Sequence, residues 1–443
     1  MSTLRGPALF YKIKNVNPSI LLFIAAILAI VFANTGLHDI YYKFLNRPIV
    51  LQVGEYNLFQ HHGKAMSLLE FVNDALMAVF FFVIGLEIKR EILLGELASV
   101  KRALLPIIAA IGGMIVPVLV FLLFDHDAAT IQGAAIPMAT DIAFALAVLS
   151  LLGKRVPLSL KIFLTTLAVV DDIGGILVIA TVYTSHISFI PLLFGFAFIL
   201  LSYFLGTRKV NLDLVYYLVG FIVWLLFLES GVHTTISGVL LAFTIPVKST
   251  VRLPELRNFQ MDFQNTFNYT YEKEGRGIGF VSHKQLVELL QSSRKFERSV
   301  PLVQRMEHNL SPLVNYLILP LFAFVNSGVT FGEVSLAQLA VVPAGVFFGL
   351  VVGKCLGIFG FTWLFAKLKV VTMPPGMNTR NLFGISLFGG IGFTVSLFIA
   401  NLSYATLDKG GIELLNQAKI GVFAGTLVSG VLGYFILNKI LKK

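Results

Sequence analysis

Runs of about 20 apolar residues recur along this chain, and no other feature restricts its fold so strongly. Hydrocarbon offers no water to backbone N–H and C=O groups, so such a segment crosses a bilayer as a helix that pairs them internally. The runs begin near residues 18, 67, 103, 134, 158, 188, 213, 232, 312, 339, 382 and 415, twelve in all. The eighth, residues 232–247, is short, and the fourth and eleventh carry Pro or Gly. Only 13% of the 443 residues are charged, where a soluble domain carries roughly 25%. The expectation is an all-α polytopic membrane protein, one transmembrane domain over residues 1–443. The first run follows Arg5, Lys12 and Lys14 and reads as a retained helix, not a removed signal peptide.

Basic residues orient the spans. With the N-terminus cytoplasmic, 28 of the 34 Lys and Arg fall on that side and 5 on the other, with Lys354 inside a span. A bias of this kind is the rule for cytoplasmic loops. It supports an even number of spans and two cytoplasmic termini. A net charge of +10 would suggest nucleic acid in a soluble chain. Here the basic residues flank apolar runs, so membrane lipid is the expected partner and nucleic acid is not. The single cysteine, Cys355, excludes an internal disulfide, and no cofactor is expected.

Two loops stand out. Residues 49–60 place β-prone residues around Gly54–Glu55, which predicts a small hairpin outside the membrane. It either covers helix ends or pairs with a second copy to make a homodimer. Residues 248–308 form a long cytoplasmic loop, in which Ser282 and Gln285 make a capping box ahead of an apolar stripe, Leu286–Leu290.

A charge at mid-bilayer costs roughly 2.5–3.5 kcal/mol on insertion scales, so each such residue needs a reason. Asp171 and Asp172, in LTTLAVVDDIGGILVIA, lie near the middle of the fifth span. Neighbours on a helix diverge by about 100°, so the two acids address different partners. Like charges in a low-dielectric site resist joint ionisation, so the pair is suited to hold a proton and release it when a cation arrives. Neutralisation by buried bases cannot satisfy both acids, because one lysine alone, Lys354, falls inside a predicted span. Lys354 lies in GLVVGKCLGIFG of the tenth span and needs a carboxylate or a negative helix end. Asp141 follows Pro137–Met138–Ala139–Thr140 in the fourth span. The proline opens the helix just before the acid, which exposes oxygen ligands of the kind hard cations take or leaves Asp141 as a cap. The eleventh span has a second break, Gly389–Gly390–Ile391–Gly392–Phe393–Thr394. Asp74 lies shallower, about two turns from the outer surface, and is expected to support the site without taking part in transport.

Spans three to five and ten to twelve each contain a broken middle helix and start on opposite sides of the membrane. These are inverted-topology repeats. Every deep charge except Asp74 falls within them.

The segments PMATDIAFALAVLSLLGKRVP, LKIFLTTLAVVDDIGGI, NDALMAVFFFVIGLEIKRE, GVHTTISGV, LILPLFAFVNSGV and GGIGFTVSLFIA closely resemble those of the NhaA-type bacterial sodium/proton antiporters. The likeness covers nearly the whole chain and keeps motif order. That family is among the cases from which the link between interrupted helices and binding sites is drawn, so agreement on this point is not independent. The resemblance implies a secondary antiporter of the bacterial inner membrane, not an enzyme. It would exchange cytoplasmic Na+ or Li+ for external H+ electrogenically and control internal pH and sodium. It implies Asp172 as the cation carboxylate, Asp171 as its proton-carrying partner, Thr140 and Asp141 lining the crossing, and Lys354 compensating charge there. It implies a homodimer through residues 49–60. It also implies a cytoplasmic pH-sensing cluster at Glu87, Arg90, Glu91, His233, Glu307 and His308, histidine being suited by an unperturbed pKa near 6.5. The loop before the ninth span is longer than the family's, and Ser249, Gln304 and Ser311 stand where charged or histidine residues are expected. Those departures bear on the pH set point, not on the transport site.

Two other function classes fit this sequence less well. An intramembrane aspartyl protease sets its acids on two facing helices, whereas Asp171 and Asp172 are adjacent on one. Another proton-coupled carrier, for sugars or amino acids, would want more aromatic and amide groups within the spans than Trp224 and Trp363 suggest; a cation channel would pass ions far faster than alternating access allows.

Overall fold

The computed structural model describes residues 17–54, 56–61, 64–124, 127–183, 187–208, 210–247, 299–330, 341–405, 407 and 410–442, with single positions at 261, 287 and 291. Most of the expected 248–308 loop, including Ser282, Gln285 and most of the Leu286–Leu290 stripe, lies outside the described residues.

The chain runs through α1 (Pro18–Ala33), α2 (His38–Leu45), four two-residue strands, α3 (Leu68–Leu94), α4 (Val100–Leu122), α5 (Ala128–Met138), α6 (Ile142–Ser150), α7 (Leu158–Val182), α8 (Phe189–Thr207), α9 (Asp213–Ser230) and α10 (Thr234–Thr244). It continues through α11 (Leu302–Asn326), α12 (Val342–Lys367), α13 (Thr379–Phe388), α14 (Phe393–Tyr404) and α15 (Gly411–Leu441). Among the described residues, eight helices are long and apolar enough to cross a membrane, or eleven when each of three bent pairs counts as one span. The expected eighth span corresponds to α10, whose 11 residues fall short of that test. Three pairs bend: α1–α2 by 117°, α5–α6 by 45° and α13–α14 by 51°. The last two are the breaks marked in sequence by Pro137 and by Gly389–Gly392.

Strands β1 (Gln52–Val53) and β2 (Tyr56–Asn57) pair antiparallel, with Gln52 opposite Asn57. Gly54, at φ 66°, supplies the left-handed turn conformation between them. Strands β3 (Gln60–His61) and β4 (Lys64–Ala65) form a second antiparallel pair. Ser67 then caps α3 reciprocally with Glu70.

Close helix contact in lipid rests on small residues, and α12 shows how. Gly345, Gly349, Gly353 and Gly357 recur every fourth residue, so they share one face. That face lies on α4. A Cβ at Gly357 would overlap the Gly112 carbonyl, one at Gly353 would meet Pro117 at 2.7 Å, and one at Gly345 would meet Phe121 at 2.9 Å. Residues Gly349–Gly353 form a π-turn immediately before Lys354. Such turns shift the register of side chains and recur at functional sites. Helix α8 fully buries only Gly195 and Ser202; Leu192, Phe198, Ile199 and Leu205 pack partly against the core, and most of its other apolar side chains are exposed.

Candidate functional site

The two helix breaks meet. Residues Ala139–Asp141 separate α5 from α6, and Gly389–Gly392 separate α13 from α14. Each break strands helix-end N–H and C=O groups that need partners, and each break serves the other. The Asp141 N–H donates to the Ile391 carbonyl at 2.6 Å. The Asp141 carboxylate accepts from the Phe144 N–H at 3.0 Å, which caps α6. Its other oxygen accepts from the Thr394 N–H at 3.1 Å and the Thr394 hydroxyl at 2.6 Å, at the start of α14. One buried carboxylate thus caps two half-helices and faces the positive ends of both dipoles. The Ser396 hydroxyl adds a 2.8 Å bond to the Ile136 carbonyl.

Helix α7 passes this crossing with its acids. Asp171 is 2% exposed and Lys354 is fully buried. Lys354 Nζ forms an ion pair with Asp171 Oδ2. The same oxygen lies 2.8 Å from the Thr140 hydroxyl, which is also 2.8 Å from the Gly389 carbonyl. A threonine carries one hydroxyl proton, so Thr140 serves one of these acceptors at a time. Asp171 Oδ1 is buried and unpartnered among the described residues. Asp172 differs from its neighbour. It is only partly buried and has no hydrogen bond or ion pair among the described residues. The charges bearing on it are Asp171, Glu87, Asp141 and Lys354.

The arrangement therefore joins an acid neutralised by a lysine, an acid with both oxygens free, and a third acid used up as a cap. Such a set is chemically able to take a small cation or a proton. Residues 11–437 match the family described as Na+/H+ antiporter 1. The chain belongs to that family. A protein from Parabacteroides distasonis described as Na(+)/H(+) antiporter NhaA is 55% identical over 433 residues, covering 98% of this chain and 96% of that one. Proteins of the same description from Porphyromonas gingivalis and Proteus mirabilis are 50% and 41% identical, over 95% and 96% of this chain and 93% and 94% of theirs.

For a member of the Na+/H+ antiporter 1 family, the positions singled out in sequence sort into three places. Asp171, Asp172, Asp141, Thr140 and Lys354 come together at the crossing. Glu87, Arg90 and Glu307 form a second group, with Arg90 3.8 Å from Glu87 and 3.3 Å from Glu307. Glu91 lies beside it on α3 and accepts the Glu96 N–H at 2.7 Å, and His308 is exposed on α11. His233 does not join them. It caps α10 through the Thr235 N–H at 3.4 Å, and its Nε2 lies 3.9 Å from Asp74 Oδ1. Asp74 and Glu87 are thirteen residues apart on α3, about 20 Å along the axis. His233 thus belongs to the opposite end of the bundle from the Arg90 group, where Asp74 also accepts from the Thr234 hydroxyl at 3.4 Å.

Three features were missed in sequence. Thr394 stood inside a recognised break, but its bond to Asp141 depends on how two distant helices cross. The Gly389 and Ile391 carbonyls became acceptors for the same reason. Lys419, assigned to an outer loop, is 7% exposed within α15 and donates to the Gly328 carbonyl at 3.3 Å. The signal for Lys419 is its helical spacing to Val422, Thr426 and Gly430, which are buried on the same face of α15.

Proposed function

We propose that the chain exchanges cytoplasmic Na+, or Li+, for external protons by alternating access, with Asp172 as the cation carboxylate. One observation carries this reading. At a crossing where every other carboxylate is engaged, Asp172 alone keeps both oxygens free of hydrogen bonds and ion pairs among the described residues. Sodium is a hard cation that takes oxygen ligands, and a partly exposed, unsatisfied carboxylate between two helix breaks supplies them. Asp171 Oδ1, buried and unpartnered, is a second oxygen for the ion and the atom at which a proton can add.

Proton coupling follows from the shared hydroxyl. With Asp171 ionised, Thr140 donates to Oδ2. With Asp171 protonated, the acid no longer needs that donor, and the Thr140 proton is free for the Gly389 carbonyl at the break before α14. Protonation is thereby linked to the hydrogen bonding of an interrupted helix. Lys354 holds the balance of charge and competes with Asp171 as carrier of the second proton that electrogenic exchange requires.

The remaining assignments rest on the same reading. Spans three to five (α4, α5–α6, α7) and ten to twelve (α12, α13–α14, α15) act as inverted repeats within a twelve-span bundle, α10 being the short span. The protein lies in a bacterial inner membrane among lipids, with both termini cytoplasmic. Glu87, Arg90, Glu91, Glu307 and His308 sense cytoplasmic pH, and the segment 49–60 pairs two copies into a homodimer. The test of the whole is a Na+ gradient imposed on sealed proteoliposomes holding the purified full chain. Exchange predicts a matching pH change inside the vesicle; a gradient that dissipates without proton movement contradicts it.

A further inference from the structure

Two buried asparagines, Asn326 and Asn401, and the partly buried Asn73 join helices that belong to different parts of the bundle. Asn326, at the end of α11, is 0% exposed. Its Oδ1 accepts from Asn73 Nδ2 on α3 at 3.2 Å and from Asn401 Nδ2 on α14 at 2.8 Å. Its Nδ2 donates back to Asn73 Oδ1 at 2.8 Å. Asn401 is 6% exposed and donates also to the Leu397 carbonyl of its own helix at 2.9 Å. A buried amide without partners is costly, so a satisfied set of this kind favours one arrangement of its helices over alternatives.

The location gives the set its meaning. Helix α14 begins at the crossing, where Thr394 bonds Asp141. Asn401 lies seven residues further, about 10 Å along the axis. Between them Phe398, fully buried, packs with Phe81 at 5.4 Å, His233 at 5.5 Å and Phe322 at 6.3 Å between ring centroids. On this side of Asp172 stand first an aromatic layer and then an amide layer. Along α3, Glu87 lies six residues beyond Phe81 in the direction away from Asn73, and it is only partly buried. On the side of Asn401 the crossing is thus followed by two layers of packed side chains, Phe398 with its ring neighbours and then Asn326 with Asn401.

We propose that the Asn73–Asn326–Asn401 set is the outer latch of the transporter. Asn401 is a positioning residue: it touches no ion, and it ties the broken helix α14 to α3 and α11, which lie outside the two repeats. Access from outside requires α14 to part from those helices, and the Asn401–Asn326 bond is what must break. The latch therefore stabilises the inward-facing state, and its loss moves the population outward. This inference rests on the alternating-access reading and orientation given above.

The experiment uses the full chain with Cys355→Ser and Ser327→Cys, reconstituted in proteoliposomes and treated from outside with a membrane-impermeant maleimide. Adding Asn401→Ala is expected to raise the labelling rate about tenfold, which corresponds to about 1.4 kcal/mol between the two states. The same change is expected to lower the apparent KM for Na+ presented outside and to raise it for Na+ presented inside. Asn73→Ala attacks the set from α3 and carries the same expectation should Asn401→Ala fail to fold. A labelling rate within twofold of the parent, or KM values that weaken on both sides together, overturns the latch. Asp172→Asn in the parent background separates the two ideas: exchange that survives it overturns the transport reading, whereas labelling does not depend on exchange.

Discussion

Asp141 and Thr394 face each other where the two interrupted helices cross, joined by the Thr394 hydroxyl at 2.6 Å and its backbone N–H at 3.1 Å. Because Asp141 also caps α6 through Phe144, one side chain holds both half-helices in place. Removing it leaves three buried donors without an acceptor, at about 1–3 kcal/mol each. Asp141→Ala should therefore lower thermal stability in detergent more than Asp141→Asn, whose amide oxygen keeps some of these bonds. Equal melting temperatures for the two variants would show that the double cap is not what holds the crossing.

The Lys354–Asp171 pair is fully buried, and breaking such a pair by deleting one partner costs roughly 3–5 kcal/mol. Lys354→Ala should melt well below the parent. Combining Lys354→Met with Asp171→Asn should recover much of the loss, because no charge is then left unpaired. A double variant no more stable than Lys354→Ala would argue that the lysine matters for packing alone. In transport, Lys354→Ala should shift apparent Na+ affinity more than the choice between Na+ and Li+.

Competition between Na+ and H+ for Asp172 fixes the sign of a pH effect. The cation binds the ionised carboxylate, so affinity is present above the folded-state titration and is lost as pH falls through it. On the acid limb the apparent KM for Na+ should rise about tenfold per pH unit for a single competing proton, while the rate at saturating Na+ changes little. Flat KM values with a falling maximal rate would place the titrating group elsewhere.

Glu87, Arg90 and Glu307 are partly exposed, so their ion pairs are modest, about 1 kcal/mol or less. Arg90→Ala should move the pH–rate profile by about half a unit and leave the Na+ KM at the optimum unchanged. His233→Gln, at the start of α10 beside the opposite end of α3, should not reproduce that shift. A His233→Gln profile that coincides with that of Arg90→Ala would rejoin the two groups that the structure separates.

The features legible in sequence were those set by local chemistry. A run of apolar residues announces a helix, Pro137 and Gly389–Gly392 announce breaks, and an acid at mid-span announces a site. Asp172 and Lys354 were found because burying a charge is costly wherever it occurs. What stayed hidden depends on which helices touch. Thr140 is placed at the crossing by family likeness, but its bond to Asp171 is not legible in sequence, and Thr394 is an ordinary residue until the breaks cross and it bonds Asp141. Lys419 is counted with the outer loop although it lies four residues inside the run that begins near 415, and the structure buries it within α15. His233 was grouped with Glu87 through family likeness, while its place at the start of α10 puts it against Asp74.

The central claim is that Asp172 is the carboxylate at which Na+ and H+ are exchanged. It is tested by loading proteoliposomes with a pH indicator, imposing a Na+ gradient and comparing the parent chain with Asp172→Asn. The account predicts a Na+-dependent pH change in the parent and none in the variant, with the variant still folded by its melting profile. Undiminished exchange by folded Asp172→Asn would contradict it.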